Sequence, residues 1–79
     1  MNNIQAIKEE SDIRITLKAA RVNANLDQKE AAKLLGVSNK TLQSWESGKT
    51  VPKANYIDAI CSLYNMPYNN IIFLQSDSL

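Results

Sequence analysis

The stretch "DQKEAAKLLGVSNKTLQSWESGK", residues 27 to 49, constrains this chain more than any other. It sets two short amphipathic patterns back to back, with only a Gly, a Val and a Ser between them. Asp27 can cap the first helix, and Glu30 three residues on completes a capping-box spacing. Ala31, Ala32, Leu34 and Leu35 form its expected inner face, and Gly36 stops it by supplying a positive φ. Ser38 caps the second helix after a turn of about three residues, a length typical of a helix-turn-helix corner. Leu42 and Trp45, three apart, are its apolar side, and "ESGKTVP" ends it. Such a corner packs one face of the second helix and leaves the other free.

The remaining segments read as further helices. Ser11 or Asp12 can cap a helix carrying Ile13, Leu17, Ala20 and Ala24 inward and ending at left-handed Asn25. Beyond the corner, Ile57, Ile60, Cys61 and Tyr64 keep the spacing of a core-facing stripe. Lys53 is a poor cap, which makes Asn55 the expected substitute, and Asn65 is suited to close that helix. Pro67 then suits the first turn of a fifth helix with Tyr68, Ile71, Ile72, Phe73 and Leu74. The pattern therefore predicts an all-α, five-helix domain over residues 12–74, flanked by an extension at 1–11 and a polar tail at 75–79.

Composition narrows the function. A chain of 79 residues holds one modest core. It has one Cys and no His, which speaks against a disulfide and a zinc site, and no cofactor is expected. The start "MNNIQAIKEESD" lacks the character of a signal peptide, and no apolar run spans a bilayer, so a soluble, cytoplasmic protein is expected. No phosphate loop or nucleophile-base setting suggests an enzyme. Net charge is only +1, but residues 28–55 carry five Lys against two Glu. The positive side is the corner.

From about Ile13 to Phe73 the chain resembles the lambda-repressor/Cro-type helix-turn-helix family of transcription regulators. The resemblance rests on Leu26-Asp27-Gln28, Ala32, Leu35-Gly36-Val37-Ser38, Trp45-Glu46, Gly48-Lys49 and Pro52 in register. Independently of it, the free face of the second corner helix holds Asn39, Lys40, Gln43 and Ser44, polar side chains suited to base edges in the DNA major groove. The resemblance implies that the first, second and sixth residues of that helix, Asn39, Lys40 and Ser44, read bases, with Gln43 beside them. Gln28, at a helix start that favours an anion, Ser38, Lys49 and Lys53 are the candidate phosphate contacts, with Lys29 and Lys33 weaker. The resemblance also pairs Arg21 with Glu46 as a structural ion pair, and implies double-stranded DNA as the partner. A symmetric homodimer is expected through Phe73 and Leu74, because one such helix covers too few base pairs to specify a site. The leading reading is a repressor or Cro-like switch; the alternative is an antitoxin or other partner-binding module that autoregulates through its helix-turn-helix.

Overall fold

The computed structural model describes residues 13–73. Their order is β1 (Ile15–Thr16), α1 (Leu17–Asn23), α2 (Gln28–Leu35), α3 (Asn39–Ser47), α4 (Ala54–Tyr64), a 3-10 turn (Tyr68–Asn70) and β2 (Ile71–Ile72). The architecture is mostly helical, with four α-helices among the described residues. A short parallel β1–β2 pair joins the two ends in the register Ile15 to Ile71 and Thr16 to Ile72.

Local chemistry sets most boundaries. Asp27 accepts the Glu30 N–H at 2.7 Å and Glu30 accepts the Asp27 N–H at 3.1 Å, so the reciprocal cap of α2 is complete. Ser38 accepts the Thr41 N–H at 3.0 Å at the start of α3. Gly36 and Gly48 close α2 and α3 with φ of 75° and 83°, and Asn25 and Asn65 adopt 62° and 54° after α1 and α4. Asn is among the few residues with a side chain that enter this region at small cost. Between these punctuation marks Leu17, Ala20, Ala31, Ala32, Leu35, Leu42, Ile60, Tyr64 and Ile71 form the buried core. Ala20 and Ala31 are fully buried, and small side chains there let α1 and α2 approach the other helices closely.

The structure corrects several expectations. The first helix does not include Ile13: the chain is extended through Ile15, and Thr16 caps α1 by accepting the Ala19 N–H at 3.0 Å. The expected caps Ser11 and Asp12 lie outside the described residues. Ile13, which is 59% exposed, therefore leaves the core stripe. The fifth helix is replaced by the 3-10 turn and β2. Two consecutive Asn are poor helix formers, and the β-branched Ile71 and Ile72 instead pair with β1. Asn70 strengthens the join by donating to the Ile13 carbonyl.

Alternation along β2 changes which side chains face out. Ile71 is buried, whereas Ile72 is 38% exposed and Tyr68 is exposed beside it. Phe73, expected to project away from the core, is half-buried, packs against the core and stacks on Tyr68 at 5.6 Å. Its expected companion Leu74 lies outside the described residues. On α2, Leu34 is 62% exposed rather than inward. Two positions beyond Ala32 is about 200° around a helix of 3.6 residues per turn, on the far side from the core. Lys53 occupies the N-cap position of α4 without a side-chain bond. Asn55 lies inside that helix and is not its cap.

Candidate nucleic-acid interface

The corner between α2 and α3 is held from within. The Gly36 N–H bonds the Lys33 carbonyl at 3.1 Å, and the Val37 N–H bonds the Ala32 carbonyl at 3.0 Å. Leu42 has no exposed surface, and half-buried Trp45 meets the ring of Tyr56 at 5.3 Å in a tilted arrangement. Both anchors lie on one side of α3. Away from them Lys40 and Gln43 are exposed and Ser44 is half-buried, while Asn39, in the first turn, is exposed on the flank between Glu46 and Gln43.

The C-terminal end of α3 is locked to two other helices through Glu46. Arg21 Nε donates to Glu46 Oε2 at 2.7 Å, and Arg21 Nη2 donates to Oε1 at 3.2 Å. Gln28 Nε2 donates to the same Oε1 at 3.1 Å, and Arg21 Nη1 reaches the Leu26 carbonyl at 2.9 Å. The two charged side chains are only 8% and 6% exposed. The hydrogen bond to Glu46 raises the Arg21 pKa, with burial opposing it. Buried Tyr64 sits in the field of this pair: burial and the Glu46 charge push its hydroxyl up to about 12, and Arg21 pulls the other way. Its hydroxyl has no hydrogen-bond partner among the described residues.

The phosphate candidates are placed unequally. Gln28 is the first residue of α2, with its side-chain amide bonded to Glu46. A first-turn backbone N–H there has no partner inside the helix, which suits an anion. Lys49 is exposed just past Gly48, where its own N–H bonds the Ser44 carbonyl at 3.0 Å. Lys53 is exposed at the start of α4. Ser38 is already engaged: besides capping α3, its hydroxyl lies 3.0 Å from Thr41 Oγ1.

Sequence reasoning did not single out Thr41 or Tyr64 for this neighbourhood. Thr41 was within reach, because a residue three past a Ser cap is its usual partner. Tyr64 was read only as part of a core stripe. Its electrostatic coupling to Arg21 and Glu46 links distant parts of the chain and leaves no local signal. Among the described residues no group of metal-ligating side chains is assembled, and no helix is long and apolar enough to cross a membrane.

The helix-turn-helix family matches residues 17–69, which takes in all four helices and the corner between α2 and α3. Antitoxin PezA of Streptococcus pneumoniae serotype 4 (strain ATCC BAA-334 / TIGR4) is 32% identical over 56 residues, or 71% of this chain. The chain spans only 35% of that protein's length. No solved structure matches. With a capped corner, an exposed polar face on α3 and a family match over most of its length, the chain belongs to the Cro/C1-type helix-turn-helix family of DNA-binding transcriptional regulators.

Proposed function

We propose that α3 enters the major groove of a specific duplex site and that Asn39, Lys40, Gln43 and Ser44 contact its base edges, making the protein a cytoplasmic repressor or Cro-like switch. The observation that carries this reading is the division of α3 into two sides. Leu42, Trp45 and Glu46 fix one side to the body of the protein, while Lys40 and Gln43 project away from it and Asn39 is exposed at the start of the helix. A helix held this rigidly limits the entropy lost when its side chains meet a base. The backbone at Gln28 and the side chains of Lys49 and Lys53 contact flanking phosphates, which position the helix and carry no sequence information. Ser38 contributes less, because its hydroxyl is committed to the cap and to Thr41.

The experiment is an NMR titration of the labelled protein with a short duplex. Amide shifts should cluster at Gln28, Ser38 to Ser44 and Lys49. Shifts centred on the β1–β2 end would refute the placement of the interface.

The reading includes a symmetric dimer joined at the C-terminal end, with two α3 helices on half-sites about 34 Å apart. Support comes from the exposed Tyr68 and Ile72 beside half-buried Phe73, which border a shallow hollow of about 310 Å³ with Arg14 at its rim. Leu74 remains part of this proposal. Ile72→Asp should leave the monomer folded and remove cooperative binding to a palindromic site. A monomer by sedimentation, both free at high concentration and on DNA, would defeat the dimer.

The second reading, an autoregulating antitoxin with a protein partner, is favoured by the likeness to a protein named antitoxin. Operator affinity that changes on adding cell extract would support it.

A further inference from the structure

Base choice follows from which chemical groups α3 leaves free. The inference rests on the proposed docking of α3 in the major groove and goes one step further, to the bases it accepts. Three side chains of α3 are exposed on one continuous face: the carboxamides of Asn39 and Gln43 and the ammonium of Lys40. None of the three forms a hydrogen bond or ion pair with another described side chain, so their donors and acceptors are available. A carboxamide offers one donor and one acceptor side by side, which matches the N6 and N7 edge of adenine. An ammonium offers donors alone, which matches the O6 and N7 acceptors of guanine.

The groups that would select the other two bases are absent from this face. Cytosine shows an amino donor and is read by a carboxylate. The carboxylate on α3, Glu46, is turned inward and takes three N–H donors from Arg21 and Gln28. The nearby carboxylates Asp27 and Glu30 are occupied in the cap of α2. Thymine is told apart by its methyl group, which needs an apolar neighbour. Both apolar residues of α3, Leu42 and Trp45, pack inward, and Thr41 is half-buried against Ser38. Ser44 accepts either kind of partner and discriminates little.

We infer that each half-site is read as purines: two adenines through Asn39 and Gln43, and a guanine through Lys40. Asn39 and Gln43 lie four residues apart, about 6 Å along the helix axis at 1.5 Å per residue. That separation is close to two base-pair steps of about 3.4 Å. The two adenines should therefore lie about two steps apart when α3 follows the groove, with the guanine next to the one read by Asn39.

The test has two stages. Selection of bound sequences from random duplex DNA first identifies the site. Duplexes of that site then carry 7-deaza-adenine or 7-deazaguanine, which remove the N7 acceptor, or uracil for thymine, which removes only the methyl. The inference predicts adenines and a guanine in each enriched half-site, a loss of roughly fivefold or more for each 7-deaza substitution there, and less than about twofold for uracil. Asn39→Ala should abolish the penalty at one adenine and Gln43→Ala at the other. Strong loss with uracil and none with 7-deaza purines would overturn the base assignment while leaving groove binding intact. Failure to enrich any sequence would overturn the docking proposal, and this inference with it.

Discussion

Replacing Arg21 with Ala tests what holds the reading helix in place. The change deletes two N–H donors to Glu46, at 2.7 and 3.2 Å, and a third to the Leu26 carbonyl at 2.9 Å. Glu46 keeps one partner, Gln28, but remains a carboxylate whose side chain is only 6% exposed. Removing one member of a buried pair costs about 3–5 kcal/mol, because the other charge is left uncompensated. At roughly 0.05–0.15 kcal/mol per residue, a domain of about 60 residues has roughly 3–9 kcal/mol in all. The variant should thus lose roughly a third or more of its stability, a fall in Tm of roughly 12–40 °C at about 4–8 °C per kcal/mol. Urea and thermal melts followed by circular dichroism at pH 7 measure this. An Arg21→Ala midpoint within about 1 kcal/mol of wild type would refute the reasoning, since it would mean the buried carboxylate has little need of its cation. The double variant Arg21→Met, Glu46→Leu should recover most of the loss, because apolar replacement of a whole buried pair is often neutral or better. It should still bind DNA less well, as Gln28 would lose the carboxylate that holds it.

Three further outcomes follow from the same structure. Leu42→Ala should cost about 2–5 kcal/mol in urea melts, because Leu42 is fully buried beneath α3. Gly36→Ala should cost about 1–2 kcal/mol although an added Cβ would meet only open space, since φ of 75° is itself the strain; Gly36→Asn should cost less. Tyr64→Phe should be neutral or stabilising at pH 7, as the buried hydroxyl has no partner among the described residues. Burial pushes the Tyr64 hydroxyl up to about 12 in the folded protein, above the ordinary tyrosine value of about 10. Its contribution is complete below pH 10 and is lost as pH rises toward 12, because the unfolded chain releases its proton first. The wild type should consequently lose more stability than Tyr64→Phe between those values; parallel alkaline profiles would contradict the burial of the hydroxyl.

The parts of this fold that could be read in advance are those written in local chemistry. Asp27 with Glu30, Ser38 before α3, Gly36, Asn25 and Asn65 each act within a few residues, so their spacing alone carries the signal. The β1–β2 pair could not be read this way. Each strand has two residues, too few for a period, and their pairing depends on Ile15 meeting Ile71 across the whole chain. Missing that pair also placed Phe73 outward, because helical and extended spacing assign opposite sides to the same residue. At the interface, exposure of Asn39, Lys40 and Gln43 followed from Leu42 and Trp45 pointing inward. The engagement of Ser38 by Thr41 and the closeness of Tyr64 to Glu46 arise from geometry that composition does not encode.

The central claim is that α3 reads sequence while the lysine after it only holds the backbone. It is tested most directly by measuring dissociation constants of wild type, Lys40→Ala and Lys49→Ala on the selected duplex and on a scrambled one across a salt series. Lys40→Ala should lose about 1–3 kcal/mol on the selected duplex and far less on the scrambled one. Lys49→Ala should weaken both duplexes about equally and reduce the salt slope by roughly one unit. Equal behaviour of the two variants on both duplexes would contradict the assignment of α3 as the reading helix.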